Sequence, residues 1–309
     1  KKPNRDNVKD YFAALPTERC VEETINRVKS YYEDMKRLGR FAWLRNAYVK
    51  YLSAGASKGY VSQGGAEGEL SFSTVNHYGN LITHILNIVC QQKLSYEPQT
   101  RTSDFEALKQ IRRAKGILND YTDDPMLDLD GKLRQGTEFS AVLGEGAISV
   151  LWNKNKGEEV MADQMTGKTI KAGDNEIKVW TPFDVIQDSN LPSQQHRTWL
   201  VLRDWVNRYD LAAEYPEFAD DILAIATAAD NSETMLRQSH ESDLIPTYHL
   251  FHEKTPACPD GRHIYYATDT VIMVDEELDG DEIPVYRVAA RELWGSPYGY
   301  SRGFDLLQL

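Results

Sequence analysis

At 309 residues, 41% hydrophobic and 27% charged, the chain has the make-up of a globular protein of one to three compact units, which excludes the disordered and fibrous classes. Its formal net charge of −12, from 47 acidic and 35 basic residues, argues against a protein that grips duplex DNA tightly, because neutralising phosphates takes a basic surface. The same charge suits a conduit whose wall repels the phosphate backbone and lets DNA slide, and equally an ordinary acidic protein of the cytoplasm.

From residue 17 to 52, Val21, Ile25, Val28, Tyr32, Met35 and Leu38 recur every three or four positions, predicting an amphipathic helix capped at Thr17. Gly39 breaks it, and Phe41, Leu44, Tyr48 and Leu52 mark a second. The run SAGASKGYVSQGGAEGE at 53–69 reads as a linker or surface loop. Residues 74–94 give the best-defined helix, with Val75, Tyr78, Leu81, Ile82, Ile85, Leu86 and Val89 on one face. Its polar residues Asn76, His77, Asn80, His84 and Asn87 read as a solvated or intersubunit face.

Ser103 caps a further helix to Leu118, and another at 127–143 hands over through Gly144 and Gly146 to a strand at 147–152. Segments 158–161 and 168–171 pair around Thr166 and Gly167, and 176–180 alternates as a half-buried strand should, giving a small antiparallel sheet. A strand at 198–205 leads to a helix capped by Asn207 and bounded by Pro216, and 220–238 is a helix or broken helix. Strand signals then follow at 248–253, 263–267 and 271–275, a small β module. In the last stretch Trp294, Pro297, Tyr298, Tyr300 and Phe304 alternate with Gly295, Gly299 and Gly303, a composition suited to a turn packed tightly against its neighbours.

Chemistry is sparse in these segments. Gly167-Lys168-Thr169 lies in a hairpin context, with Ala162 where a phosphate loop has its first glycine, and Gly144-Glu145-Gly146 precedes a strand rather than opening a helix. Neither is a nucleotide site. His249, His252, Glu253, Cys258 and His263 are the one metal-like cluster, but strand alternation puts His249 and His252 on opposite faces, so they read as hairpin residues. The acidic runs around Asp128 and Asp275 fail the calcium-loop pattern, with Met126 in first place and Tyr286 in twelfth. Cys20, Cys90 and Cys258 are widely spaced with no CxxC, which fits a reducing compartment. No apolar run approaches the ~20 residues that span a bilayer, and the N-terminal KKPNRDNVKDYF lacks a signal peptide's apolar core, so no membrane is expected. The first residue is not Met and the chain stops at Leu309 inside an apolar helical pattern, which reads as a fragment. No catalytic residue, cofactor or metal is expected.

The succession AVLGEGAISVLW, TPFDVIQDSN, WLVLRDWVNRYDLAAEYPE and IPVYRVAARELWGSPYGYSRGFDLLQL resembles the portal proteins of tailed double-stranded DNA bacteriophages, the head-to-tail connectors, over roughly the last two thirds of the chain. The resemblance implies an α+β fold: an N-terminal helical segment (1–52), a linker (53–71), a mainly helical wing with an inserted small antiparallel sheet (72–245), a β-rich module at 246–290 that would be the clip, and the start of a truncated stem helix (291–309). It implies a closed ring of twelve subunits replacing one capsid vertex, assembled in the host cytoplasm. That ring would be the DNA conduit in genome packaging and ejection. Its partners would be itself, major capsid and scaffold proteins, the terminase large subunit, tail or adaptor proteins, and duplex DNA in weak non-specific contact, with ATP hydrolysis left to the motor. In related portal proteins a similar turn opens a helix near the stem, which would place Tyr298, Gly299, Tyr300, Ser301 and Arg302 in that turn, Arg302 in an intersubunit ion pair, and His249, His252, Arg262 and His263 in the clip. The alternatives are another head–tail adaptor or structural protein, and a metal-dependent nuclease or hydrolase using Asp184, Asp188 and Asp204.

Overall fold

A computed structural model describes residues 10–52, 63–64, 70–71, 76–91, 97–99, 104–125, 127–154, 156–162, 169–226 and 242–306. In chain order the elements are α1 (Thr17–Arg37), α2 (Arg40–Leu52), β1 (Gln63–Gly64), β2 (Leu70–Ser71), α3 (His77–Val89), α4 (Phe105–Asp123), α5 (Leu129–Leu143), β3 (Glu145–Asn153), β4 (Glu159–Ala162), β5 (Thr169–Lys171), β6 (Asp174–Trp180), β7 (Val185–Ile186), β8 (Trp199–Asn207), α6 (Arg208–Glu214), α7 (Ala219–Ala224), β9 (Leu244–His252), β10 (Arg262–Tyr266), β11 (Ile272–Glu276), β12 (Val285–Ala289) and α8 (Gly303–Leu306). The protein is a mixed α+β chain with small antiparallel sheets. Among the described residues no helix is long and apolar enough to cross a membrane.

The chain divides into two units. The first comprises Lys1–Val49, Trp180–Ile283 and Arg291–Tyr300. Its centre is a five-stranded sheet in the order β11-β10-β9-β8-β7. β8 and β9 pair along their whole length, from Trp199 opposite His252 to Asn207 opposite Leu244. The expected boundary between residues 245 and 246 falls inside β9, and the strand expected at 198–205 within the wing pairs with the strand expected to open the β module. The physical reason is burial on both faces, since Leu200, Val201, Leu202, Ile245, Leu250 and Phe251 are all at 0–1% exposure, each such side chain stabilising the fold by about 1.5–3 kcal/mol.

On one face lies α1, whose Cys20, Val21, Thr24, Val28, Tyr31, Tyr32 and Met35 are buried. Tyr32 donates to the Phe183 carbonyl at 3.2 Å, and Phe41 of α2 stacks on the Phe183 ring at 5.0 Å. Arg203 is wholly buried, paired with Asp184 at 3.0 Å and set about 5 Å from the Tyr32 and Trp205 rings, which is how an enclosed guanidinium is tolerated. A separate cluster of Leu211, Ile222, Ile245, Ala267 and Val271 joins α6 and α7 to the sheet. Asn207 caps α6 as its sequence predicts, accepting from the Tyr209 N–H at 2.9 Å.

The second unit comprises Lys50–Val179, Pro284–Ala290 and Ser301–Leu309. Its three-stranded sheet has the order β12-β3-β6, with Val285 opposite Ser149 and Ala289 opposite Glu145. α5 ends at Gly144, in the left-handed region at φ 86°, and the chain turns straight into β3. β4 and β5 pair as a separate ribbon; the turn expected between them lies outside the described residues.

Several boundaries differ from expectation. Pro16, not Thr17, holds the N-cap position of α1, and the Thr17 hydroxyl is engaged by Asp275 instead. Asp104 sits at the N-cap of α4, which runs on to Asp123, beyond Leu118, while Ser103 lies outside the described residues. Of the helix expected at 220–238, α7 covers the start and residues 227–241 lie outside the described residues, as do 53–62 and 65–69 of the expected linker.

Candidate functional site

The four hairpin residues expected in a clip fall on two faces of the sheet, as alternation requires. His252, opposite Arg262, is fully buried. Its Nδ1 lies 2.7 Å from the Glu253 carbonyl, which can only accept, so Nδ1 carries the proton; Nε2 then accepts from the Tyr11 hydroxyl at 2.7 Å. Burial holds this imidazole below its ordinary pKa. Arg262 spends all its donors inside the chain. Nε and Nη2 bond the two Asp275 oxygens at 2.9 and 2.6 Å, Nη1 bonds the Ala13 and Leu15 carbonyls at 3.0 and 2.7 Å, and Nη2 reaches Thr17 Oγ1 at 3.2 Å. Five N–H groups meet five acceptors, so Arg262 clamps the segment before α1 to the β10–β11 hairpin and has no donor left for a partner.

On the other face His249, Phe251, His263 and Tyr265 form a stacked set: His249 lies 4.2 Å from Tyr265 and Phe251 4.5 Å from His263, ring to ring. His263 Nδ1 meets Glu276 Oε1 at 3.1 Å and its Nε2 meets His249 Nδ1 at 3.3 Å. Since the carboxylate accepts, the proton order in the neutral chain runs from His249 to His263 to Glu276. Burial lowers the His263 pKa against the opposing pull of Glu276 and Asp275.

The turn at 298–302 carries the chain from one unit into the other. Glu292 bridges to Gly299, and the Tyr300 N–H bonds the Arg291 carbonyl at 2.9 Å. Tyr298 is buried, with the Arg40 guanidinium 4.1 Å above its ring. Ser301, 2% exposed, donates to the Ala141 carbonyl and accepts from the Gly303 N–H at 2.9 Å. A Cβ on Gly303 would meet Tyr78 Oη at 2.7 Å, which explains a glycine where α8 begins. Arg302 projects into solvent, 78% exposed, with a long 3.7 Å ion pair to Asp305 within its own turn. Phe304 is buried as its composition suggests, but Trp294 is not packed at all: it is fully exposed at 103%.

The carboxylates of the hydrolase alternative do not converge. Asp184 is held by Arg203 and by the Thr181 hydroxyl at 2.6 Å, Asp188 accepts from the Asn190 N–H at 2.9 Å, and Asp204 from the Trp205 N–H at 2.9 Å. Among the described residues no group of three or more His, Cys, Asp or Glu is placed to hold a metal ion.

Two features escape a sequence reading. The first is how much of α3 and α4 is left open among the described residues. In α3 only Gly79, Ile82 and Leu86 are buried, while Leu81, Ile85, Ile88 and Val89 are 39–60% exposed. α4 buries no residue, and its Phe105 is 79% exposed. A helical apolar stripe shows in the sequence, but not whether its own chain covers it. The second is a groove of about 640 Å³ between α1 and the sheet, with the half-buried Tyr248 in its wall, stacked on the buried Tyr266. No protein-family model and no curated relative matches the chain.

Proposed function

We propose that the chain is a subunit of a phage portal: a homo-oligomeric ring at one capsid vertex that conducts duplex DNA during packaging and ejection and docks terminase and tail or adaptor proteins. The observation that carries the reading is the open apolar faces of α3 and α4. Leu81, Ile85, Ile88 and Val89 on one helix and Phe105, Leu108, Ile117 and Leu118 on the other are all more than a third exposed. Monomeric proteins keep contiguous apolar patches small, and patches of this kind mark association surfaces. With no membrane-spanning helix among the described residues, neighbouring copies are the occupant that fits a chain resembling ring-forming proteins.

The charge supports the same reading. A net −12 repeated around a ring gives an acidic assembly, whose field disfavours tight binding of the phosphate backbone. The chemistry offered by the chain is mechanical, and nucleotide hydrolysis belongs to the motor that docks on it. Native mass spectrometry tests the proposal: one species of about a dozen subunits is expected across a range of salt, and monomer or dimer alone overturns it.

A further inference from the structure

The loop from Arg291 to Tyr300 is fixed along its length yet carries its largest side chain in water. The Glu292–Gly299 bridge and the Tyr300 N–H bond to Arg291 close its base. Gln194 Nε2 holds the Pro297 carbonyl at 2.6 Å, and Tyr298 is covered by Arg40. At the tip Gly295 takes φ 75°, which only glycine adopts without strain. Beside it stand Leu293, 37% exposed, and Trp294, 103% exposed. An indole held out on a pre-ordered loop loses little entropy on docking, which is the property of an interface anchor.

The same unit contains a surface that such an anchor fits. The groove between α1 and the sheet has a volume of about 640 Å³, and Ile25, Val28, Pro246, Tyr248 and Tyr266 line it. That volume is in the range that encloses a small organic molecule, and the half-buried Tyr248 ring, backed by the fully buried Tyr266 on which it stacks, offers an aromatic guest an offset or edge-on contact. The charged residues of its lining are mixed in sign, Glu22, Glu33 and Asp269 with Lys29 and Lys36, as are Arg291 and Glu292 just before the knob.

We propose that Trp294 of one copy inserts into the α1–sheet groove of the next, a head-to-tail contact between two different patches of the same chain. A knob that is complementary to a pocket elsewhere on the molecule cannot pair symmetrically; it propagates, and gives a ring where the rotation closes. One indole is far short of the ~800 Å² per partner of a standard interface. It therefore acts as a hot spot inside a wider contact. The inference rests on the self-assembly in the reading above, and is independent of DNA conduction.

The experiment uses two variants of the full chain, each checked for a native far-ultraviolet spectrum. Trp294→Ala removes the knob and leaves the groove; Asn26→Trp, at an exposed groove-lining position of α1, fills the groove and leaves the knob. By sedimentation velocity, each alone is expected to associate roughly tenfold or more weakly than wild type. An equimolar mixture is expected to form capped dimers, because only one knob and one groove remain competent. Trp294→Phe, which keeps an aromatic knob, should retain most of the association. If wild type forms rings and Trp294→Ala forms them equally well, this inference falls while the portal reading stands. If both variants fold and their mixture stays monomeric, the head-to-tail pairing is wrong. If wild type is a monomer, both readings fall.

Discussion

Arg262→Ala is the sharpest structural perturbation. The side chain is 14% exposed and Asp275 24%, so the pair is shielded without being sealed from water. Removing one partner of a buried, hydrogen-bonded pair costs about 3–5 kcal/mol, and the residual access of Asp275 to water moves the expectation to the lower end, ~3 kcal/mol. Part of that loss comes from the Ala13 and Leu15 carbonyls, each of which loses a charged donor. Arg262→Lys keeps the charge but cannot reach five acceptors from one ammonium, and is expected to lose ~1–2 kcal/mol. Urea unfolding reads both values. Hydrogen exchange in the first turn of α1, where the Cys20 N–H bonds the Pro16 carbonyl at 2.9 Å, should accelerate in the alanine variant. A loss below ~1 kcal/mol with that exchange unchanged would refute the clamp. The pair also sets an acid limit. Burial pushes the Asp275 carboxyl up, but the hydrogen bonds from Arg262 and Thr17 outweigh it and hold the pKa below the ordinary 3.8. Its contribution is therefore complete above 3.8 and is lost as the pH falls through the lower folded value.

Two other predictions concern pH and assembly. His252 and His263 titrate below the ordinary 6.5 because burial disfavours the cation, so the unfolded chain binds protons that the folded one refuses and stability falls as the pH drops below 6.5. Thermal melts should show that slope, at most ~1.4 kcal/mol per pH unit for each histidine, and His252→Gln with His263→Gln should flatten it. Ile88→Lys and Phe105→Lys replace side chains that are 60% and 79% exposed; each should leave stability within ~0.5 kcal/mol while reducing the largest species in light scattering. Unchanged assembly in both would remove the support that the open helix faces give to the ring.

Local structure was legible where the signal is local. Of the α1 stripe, Val21, Val28, Tyr32 and Met35 are buried, Ile25 is half-buried and Leu38, just past the helix, is 64% exposed; the Asn207 cap forms, and Gly144 turns α5 into β3. Pairing was less so, because no turn encodes it: β8 and β9 are joined by a segment containing α6 and α7, and β12 returns to β3 from more than a hundred residues away. That is why the sequence suggests a separate β module at 246–290 and the structure shows one sheet crossing its boundary. The candidate site residues divide in the same manner. Arg262 and His252 carry the residue types of a binding surface, but their donors and acceptors are consumed inside the fold, a fact of partners that composition does not carry. Trp294 is the converse: among Tyr298 and Phe304 it reads as a packed aromatic, and only the loop's geometry puts it in water.

The central claim is a closed ring with an open channel, and two-dimensional class averages of the purified chain test it most directly. The account predicts end-on views of a rotationally symmetric ring with a central hole wide enough for duplex DNA. Particles with no hole, or a field of single compact subunits at the same concentration, would contradict it.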